Sequence, residues 1–180
     1  MRTAGALLLA IVIAACASRE PERLAAHPSD GRVECDVPGG LVDVWELMAV
    51  GPGTSAVRAE LTFEAARPHE KWQPLVWVML AEVDVRNAVR VDLWKPNGWE
   101  VLAVTARRLE DRAFTWHGEL GSGVAAGEAQ VVTLDWSQPD RVEVRAGDAP
   151  PASVPIDFTV RHVFAGCSGS KARVRLLDLP

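Results

Sequence analysis

"AVRAELTFEA", residues 56–65, alternates without a break from Val57 onward. Val57, Ala59, Leu61, Phe63 and Ala65 are apolar, and Arg58, Glu60, Thr62 and Glu64 between them are polar. A period of two sends successive side chains to opposite faces of an extended strand, so one face of this segment needs a core and the other faces water. The pattern recurs. Val89, Val91 and Leu93 alternate with Arg90 and Asp92, and Val142, Val144 and Ala146 with Arg141, Glu143 and Arg145. Val154, Ile156, Phe158 and Val160 alternate with Pro155, Asp157, Thr159 and Arg161. Residues 75–81, LVWVMLA, are apolar throughout and read as a strand covered on both faces.

Turn signals separate these runs: Pro38-Gly39-Gly40, Gly51-Pro52-Gly53, Pro96-Asn97-Gly98, Gly121-Ser122-Gly123, Gly147-Asp148 and Pro150-Pro151. About ten or eleven short strands are expected. Leu41 to Met48 is the one stretch that fits a helix, and it fits a strand equally well. Many short antiparallel strands with frequent turns predict an all-β, two-sheet sandwich or jelly roll, with an immunoglobulin-like sandwich or a lipocalin-like barrel as the alternative.

The chain has 180 residues, 48% of them apolar and 24% charged, which suits one domain with a proper core. That domain is expected over residues 33–180, with no repeat and no second domain. The formal charge is −5, and no run of Lys and Arg is present that would neutralise a row of phosphates. Nucleic acid is therefore not an expected partner.

The N-terminus reads MRTAGALLLAIVIAAC. Arg2 precedes an apolar run from Ala4 to Ala15, shorter than the roughly 20 residues a membrane span needs and suited to a secretory signal peptide. Ile13-Ala14-Ala15-Cys16 resembles the lipobox of bacterial lipoproteins. The resemblance implies removal of residues 1–15 and a diacylglycerol thioether on Cys16, so that the protein meets the membrane through its N-terminal lipid. Ala17 after the cysteine implies, by the sorting rule of such lipoproteins, an outer-membrane location facing the periplasm. Residues 16–32 are polar and broken by Pro21 and Pro28, the composition of a flexible tether.

Three cysteines are present: Cys16, Cys35 and Cys167. With Cys16 assigned to lipid, an even pair remains in an exported, oxidising setting, and a Cys35–Cys167 disulfide is expected. A free thiol nucleophile is the rival, with His162 the nearest base in sequence. Around Cys167 the chain reads HVFAGCSGSKARV, residues 162–174. Gly166 to Lys171 lacks phosphate-loop spacing, and Ala172 follows the lysine where Ser or Thr is required. Ser170 stands where a nucleophile elbow would need glycine. The stretch is expected to be a bend between the last two strands.

From about residue 56 the order of strands is similar to that of the concanavalin-A-like lectin and glucanase sandwiches, a group that includes laminin-G-like modules. The resemblance is carried by "AVRVDLWKPNGWEVLAVTAR" (88–107), "AQVVTLDWSQPDRVEVRAG" (129–147) and "ARVRLLDL" (172–179). Glu82-Val83-Asp84-Val85 resembles the catalytic strand of family 16 glycoside hydrolases. On a strand, Glu82 and Asp84 would share a face. A retaining glycosidase needs a second catalytic carboxylate about 5–5.5 Å from the first. Arg86 stands where the family has that acid, so Glu82 and Asp84 are read as a solvated strand face, not as catalytic residues.

Seven tryptophans are present and no tyrosine. Trp77, Trp116 and Trp136 fall within apolar runs or on the apolar parity and read as core, and Trp45 fits either environment. Trp72, Trp94 and Trp99 fall at strand ends and turns. They are candidates for a glycan-binding face on which pyranose rings stack, or else indoles packed at the rim with wet N–H groups. The histidines, at 27, 69, 117 and 162, lack the close spacing of a zinc motif, and no Asp/Asn run has calcium-loop spacing. No metal or cofactor is expected. The composite expectation is a lipid-anchored envelope protein: a non-catalytic binding or structural module for a glycan, peptidoglycan or protein. The alternatives are a glucanase-like or lyase-like enzyme and a subunit of an envelope complex.

Overall fold

The computed structural model describes residues 30–67, 69, 70 and 72–177. Cys16, the signal segment and most of the tether, His27 included, lie outside them. The described residues form twelve strands and no helix: β1 (Arg32–Asp36), β2 (Val42–Ala49), β3 (Ala56–Ala66), β4 (Leu75–Ala81), β5 (Ala88–Trp94), β6 (Leu102–Glu110), β7 (Ala113–Val124), β8 (Ala129–Asp135), β9 (Arg141–Ala146), β10 (Ala152–Pro155), β11 (His162–Ser168) and β12 (Ser170–Leu176). Two antiparallel six-stranded sheets face each other. The first has the order β1-β12-β3-β8-β9-β10 and the second β2-β11-β4-β5-β6-β7.

The alternation in residues 56–65 does what the period predicts. Val57, Ala59, Leu61 and Phe63 are buried between the sheets. They meet Val132 and Leu134 of β8, Ala172 and Val174 of β12, and Val76, Val78, Leu80, Val89, Val91 and Leu93 from the facing sheet. Burying each Val, Leu or Phe contributes roughly 1.5–3 kcal/mol, which makes this layer the main source of stability. On the opposite face of the first sheet, Glu64 pairs with Lys171 and Arg173, and Glu60 with Arg175. This is a solvated charge lattice of the kind an exposed antiparallel sheet carries.

Four local expectations change. Gly121-Ser122-Gly123, expected as a turn, lies inside β7. Leu41–Met48 resolves to strand, as β2 at the edge of the second sheet. The 154–160 alternation is strand only to Pro155. The chain then crosses from the first sheet to the second with Ile156 and Val160 still buried, and the Ile156 and Arg161 N–H groups donate to the Asp140 and Ala81 carbonyls. Glu82-Val83-Asp84-Val85 is not a strand but the turn joining β4 to β5. There the Glu82 carboxylate accepts from the Asn87 backbone N–H and amide, at 3.0 and 2.6 Å, and Asp84 pairs with Arg86 at 3.0 Å. The two-residue β6–β7 turn, Asp111-Arg112, has positive φ at both positions, as a type I′ hairpin requires. Its Arg112 N–H donates to the Arg86 carbonyl, so the two tips brace one another.

The bend at Gly169 is sharper than a hairpin. β11 lies in the second sheet and β12 in the first, so one residue carries the chain across the sandwich. Gly169 has φ 53°, and a Cβ there would press on the Arg67 carbonyl oxygen. Ser168 and Ser170, on either side, donate to the Leu41 and Leu75 carbonyls at 3.0 and 2.9 Å. The corner therefore needs its Gly and Ser residues for backbone reasons. Cys35 of β1 and Cys167 of β11 are bonded, with Cα atoms 6.7 Å apart and a sequence separation of 132. The disulfide joins the two sheets through the core.

Candidate functional site

The second sheet carries a different outer face. Cross-strand register sets its outward side chains in rows from β2 to β7. One row is Val44, Gly166, Trp77, Asp92, Thr105 and Glu119, and the next is Glu46, Phe164, Met79, Arg90, Arg107 and His117. A third holds Val42, Ser168, Leu75, Trp94, Ala103 and Ser122. Trp77, Met79, Ala81, Ala88 and Phe164 are buried there as a second apolar cluster, separate from the inter-sheet core. This explains why β4 is apolar on both parities.

A pocket of about 450 Å³ opens on this face, within the range of small-ligand sites, roughly 300–1,000 Å³. Its floor and one wall come from the sheet: Val42, Leu75, Trp77, Arg90, Arg107, Phe114 and Ser168. Its rim comes from two loops, with His69, Glu70, Trp72 and Gln73 between β3 and β4 and Asn97 between β5 and β6. A hydrogen bond from the Lys95 N–H to the Pro74 carbonyl, 3.1 Å, holds those loops side by side.

Gly166 shapes the floor. It lies directly across from Trp77 in the ladder, and a Cβ there would overlap the Trp77 ring and the Asp43 carbonyl oxygen. Glycine lets the indole lie across β11. The ring is then capped from the next strands: the Arg90 guanidinium carbon lies 5.5 Å from the Trp77 ring centre and 4.9 Å from that of Phe114, with Arg107 5.0 Å from the same Phe114 ring. Such cation–π contacts hold the guanidinium groups in fixed planes.

Asp92, fully buried, bridges the two arginines. Its Oδ1 lies 2.7 Å from Arg90 Nε and its Oδ2 2.9 Å from Arg107 Nε, with a 3.2 Å hydrogen bond from Arg90 Nη2 to Oδ2. The two Nε contacts are ion pairs and not aligned hydrogen bonds. Burial pushes the Asp92 carboxyl above its ordinary range, against the pull of Arg90, Arg107 and His117. Folding thus disfavours its charged form. That cost to stability is present at neutral pH and falls away as pH drops through the raised pKa. Thr105 Oγ1 and Trp94 Nε1, on the same face, are also buried without hydrogen-bond partners among the described residues. The cluster is a rigid, under-bonded cationic site.

The structure places the candidate tryptophans in three different settings. Trp72 is exposed at the pocket rim. Trp94 lies on the same outward face but is half-buried, with its N–H covered. Trp99 is exposed on the β5–β6 loop, outside the pocket. Trp77, expected in the core, forms the floor instead. The expected outward, solvated parity of Arg90 and Asp92 is corrected in part: they face outward, but Asp92 is wholly covered by its neighbours. Arg107 and Phe114 carried no sequence signal. Arg107 becomes legible only as the cross-strand partner of Arg90.

Glu82 and Asp84 lie on a separate surface with Val83, Thr159 and Arg161. Glu82 is committed to Asn87, and its role there is to shape the turn. His162 Nδ1 lies 2.7 Å from Glu46 Oε1 and its ring lies against Phe164. Among the described residues, no three His, Cys, Asp or Glu side chains converge as a metal site.

Solved structures match this fold across most of the chain. Galectin-Ib of Xenopus laevis superposes with a TM-score of 0.53 at 13% identity, over 76% of this chain and 99% of that one. CG-16, a homodimeric agglutinin from chicken liver, gives 0.52 at 13% identity, over 76% and 99%. A toad ovary galectin in complex with thio-digalactose gives 0.51 at 12% identity, over 75% and 97%. The chain has a galectin-like fold. The two-sheet antiparallel sandwich read from the sequence is thereby the observed architecture, in its lectin-like form. No protein-family model and no curated relative matches the sequence.

Proposed function

We propose that the chain is a non-catalytic glycan-binding module of the cell envelope, anchored by lipid at Cys16 and facing the periplasm from the outer membrane. The observation that carries the binding reading is the pocket on the outer face of the second sheet. It has an exposed aromatic ring on the sheet (Phe114, with the buried Trp77 beneath Arg90), an exposed indole at the rim (Trp72) and convergent polar groups (His69, Gln73, Asn97, Arg90). Saccharide rings present one apolar and several polar faces, so they need this mixture of aromatic surface and few, fixed hydrogen-bonding groups. The toad ovary galectin, with the same fold, was solved with thio-digalactose.

Binding is tested with the full chain on a broad glycan panel, peptidoglycan fragments included. Wild-type protein is expected to retain at least one glycan class, and Trp72→Ala to weaken it by about tenfold while leaving the melting temperature in place. Trp72 is exposed, so its truncation removes contact area without opening the core. No binding to any panel member would overturn the reading.

The anchor has its own test. Full-length protein expressed in a Gram-negative host is expected to incorporate labelled palmitate and to fractionate with the outer membrane. Cys16→Ser is expected to do neither. Unlabelled, soluble wild-type protein would remove the anchor from the proposal.

A further inference from the structure

The pocket presents more positive charge than a neutral sugar requires. Arg90 and Arg107 both line it, and their side chains are only 17% and 22% exposed, so most of their hydration has already been lost on folding. Asp92, the carboxylate that partly balances them, is covered and cannot itself touch a ligand. Asp92 engages Nε and Nη2 of Arg90 but Nε alone of Arg107. Among the described residues Arg107 pairs with Asp92 through Nε, and the Phe114 ring lies against its guanidinium. A planar pair of terminal N–H groups, fixed and partly desolvated, matches a carboxylate in a two-point geometry. Holding it preorganised removes the ordering cost that a flexible surface arginine would impose on binding. Glu70 is the acidic residue at the rim. It is exposed and sits on the loop, not in the sheet face that carries the arginines.

We infer that the ligand of this pocket is an acidic saccharide, one whose sugar carries a carboxylate, and that Arg107 receives that carboxylate while Phe114 and Arg90, which covers Trp77, form the surface beneath the ring. The inference rests on the glycan-binding reading above and narrows it to one chemical class. A neutral sugar would use the aromatic floor but leave the cationic cluster unanswered, and in a partly desolvated pocket that mismatch disfavours it.

The test is titration calorimetry on the full chain with oligomers of galacturonate, glucuronate, mannuronate and guluronate and with sialylated oligosaccharides. Each is paired with its carboxyl-reduced neutral counterpart, and sulfated oligosaccharides form a further arm. At least one acidic probe is expected to bind, with affinity falling tenfold or more on carboxyl reduction and again in Arg107→Gln, and falling as salt rises from 50 to 300 mM. Carboxyl reduction changes only the ligand, so the result does not depend on whether the variant folds. Equal binding of an acidic probe and its reduced form, or binding confined to neutral sugars, overturns the acidic-saccharide inference and leaves the glycan-binding module standing. A preference for sulfated sugars over carboxylated ones overturns the assignment of the carboxylate. No binding by any member, acidic or neutral, overturns both.

Discussion

The paired substitution Cys35→Ala and Cys167→Ala is expected to lower the unfolding free energy by about 5 kcal/mol and the melting temperature by about 10–20 °C. The bond closes a loop of 132 residues, nearly the whole domain, and chain-entropy accounting assigns its largest effect to such loops. Its position adds a second effect. β1 is an edge strand held by β12 alone within its sheet, and the disulfide fastens it to β11 of the facing sheet. Both sulfurs are in the core, so alanine leaves a small apolar void and no bare polar group. Urea unfolding of the variant, beside wild-type protein with and without reductant, separates the terms. Reduced wild type should fall by nearly as much as the variant. A loss under 1 kcal/mol in both would show that the two sheets are held by packing alone.

Substitution of the buried acid should have the other large effect, with opposite signs in two variants. Asp92→Ala is expected to cost about 3 kcal/mol, because it leaves two mostly buried guanidinium groups facing one another across the ladder. Replacing the whole cluster with apolar residues of similar volume, Arg90→Met with Asp92→Leu and Arg107→Met, is expected to restore wild-type stability or exceed it. Three charges are under-bonded in the wild type, and burial pushes the Asp92 carboxyl upward despite both arginines. The triple variant should nonetheless lose ligand binding. Urea midpoints and calorimetry on the same three proteins decide it. A triple variant less stable than Asp92→Ala would make the cluster a structural element and remove the argument that it is kept for binding.

Much of the architecture was readable from local pattern. The alternation at Val57–Ala65 found β3, the apolar run at Leu75–Ala81 found β4, and Gly and Pro marked most of the turns. These signals are local because side-chain direction along a strand follows from backbone geometry alone. Two readings failed where the same period arises for another reason. The alternation past Pro155 belongs to a sheet-to-sheet crossing, where Ile156 and Val160 plug the core without ladder hydrogen bonds. Glu82-Val83-Asp84-Val85 alternates as any four residues can, but Val85 at φ 57° and the Glu82–Asn87 bonds bend it into a turn. The candidate site was only partly visible. Trp72 was singled out for its place beside a turn, whereas Trp77 looked like core because its neighbours in sequence are core.

By itself the sequence determined an antiparallel β-sandwich, an even pair of cysteines suited to a staple once Cys16 is assigned to lipid, and a bend within Gly166–Lys171, which the structure narrows to Gly169. Each follows from period, parity or the conformational freedom of glycine, properties that a chain carries before it folds. Only the tertiary structure decided that Gly166 is the seat of an indole, that Gly169 carries the chain between sheets, and that Arg90, Asp92 and Arg107 form one cluster under Phe114. Those facts depend on which residues face each other across β11, β4, β5, β6 and β7. Cross-strand register is set by the summed packing of the whole sandwich, and no stretch of the chain encodes it alone.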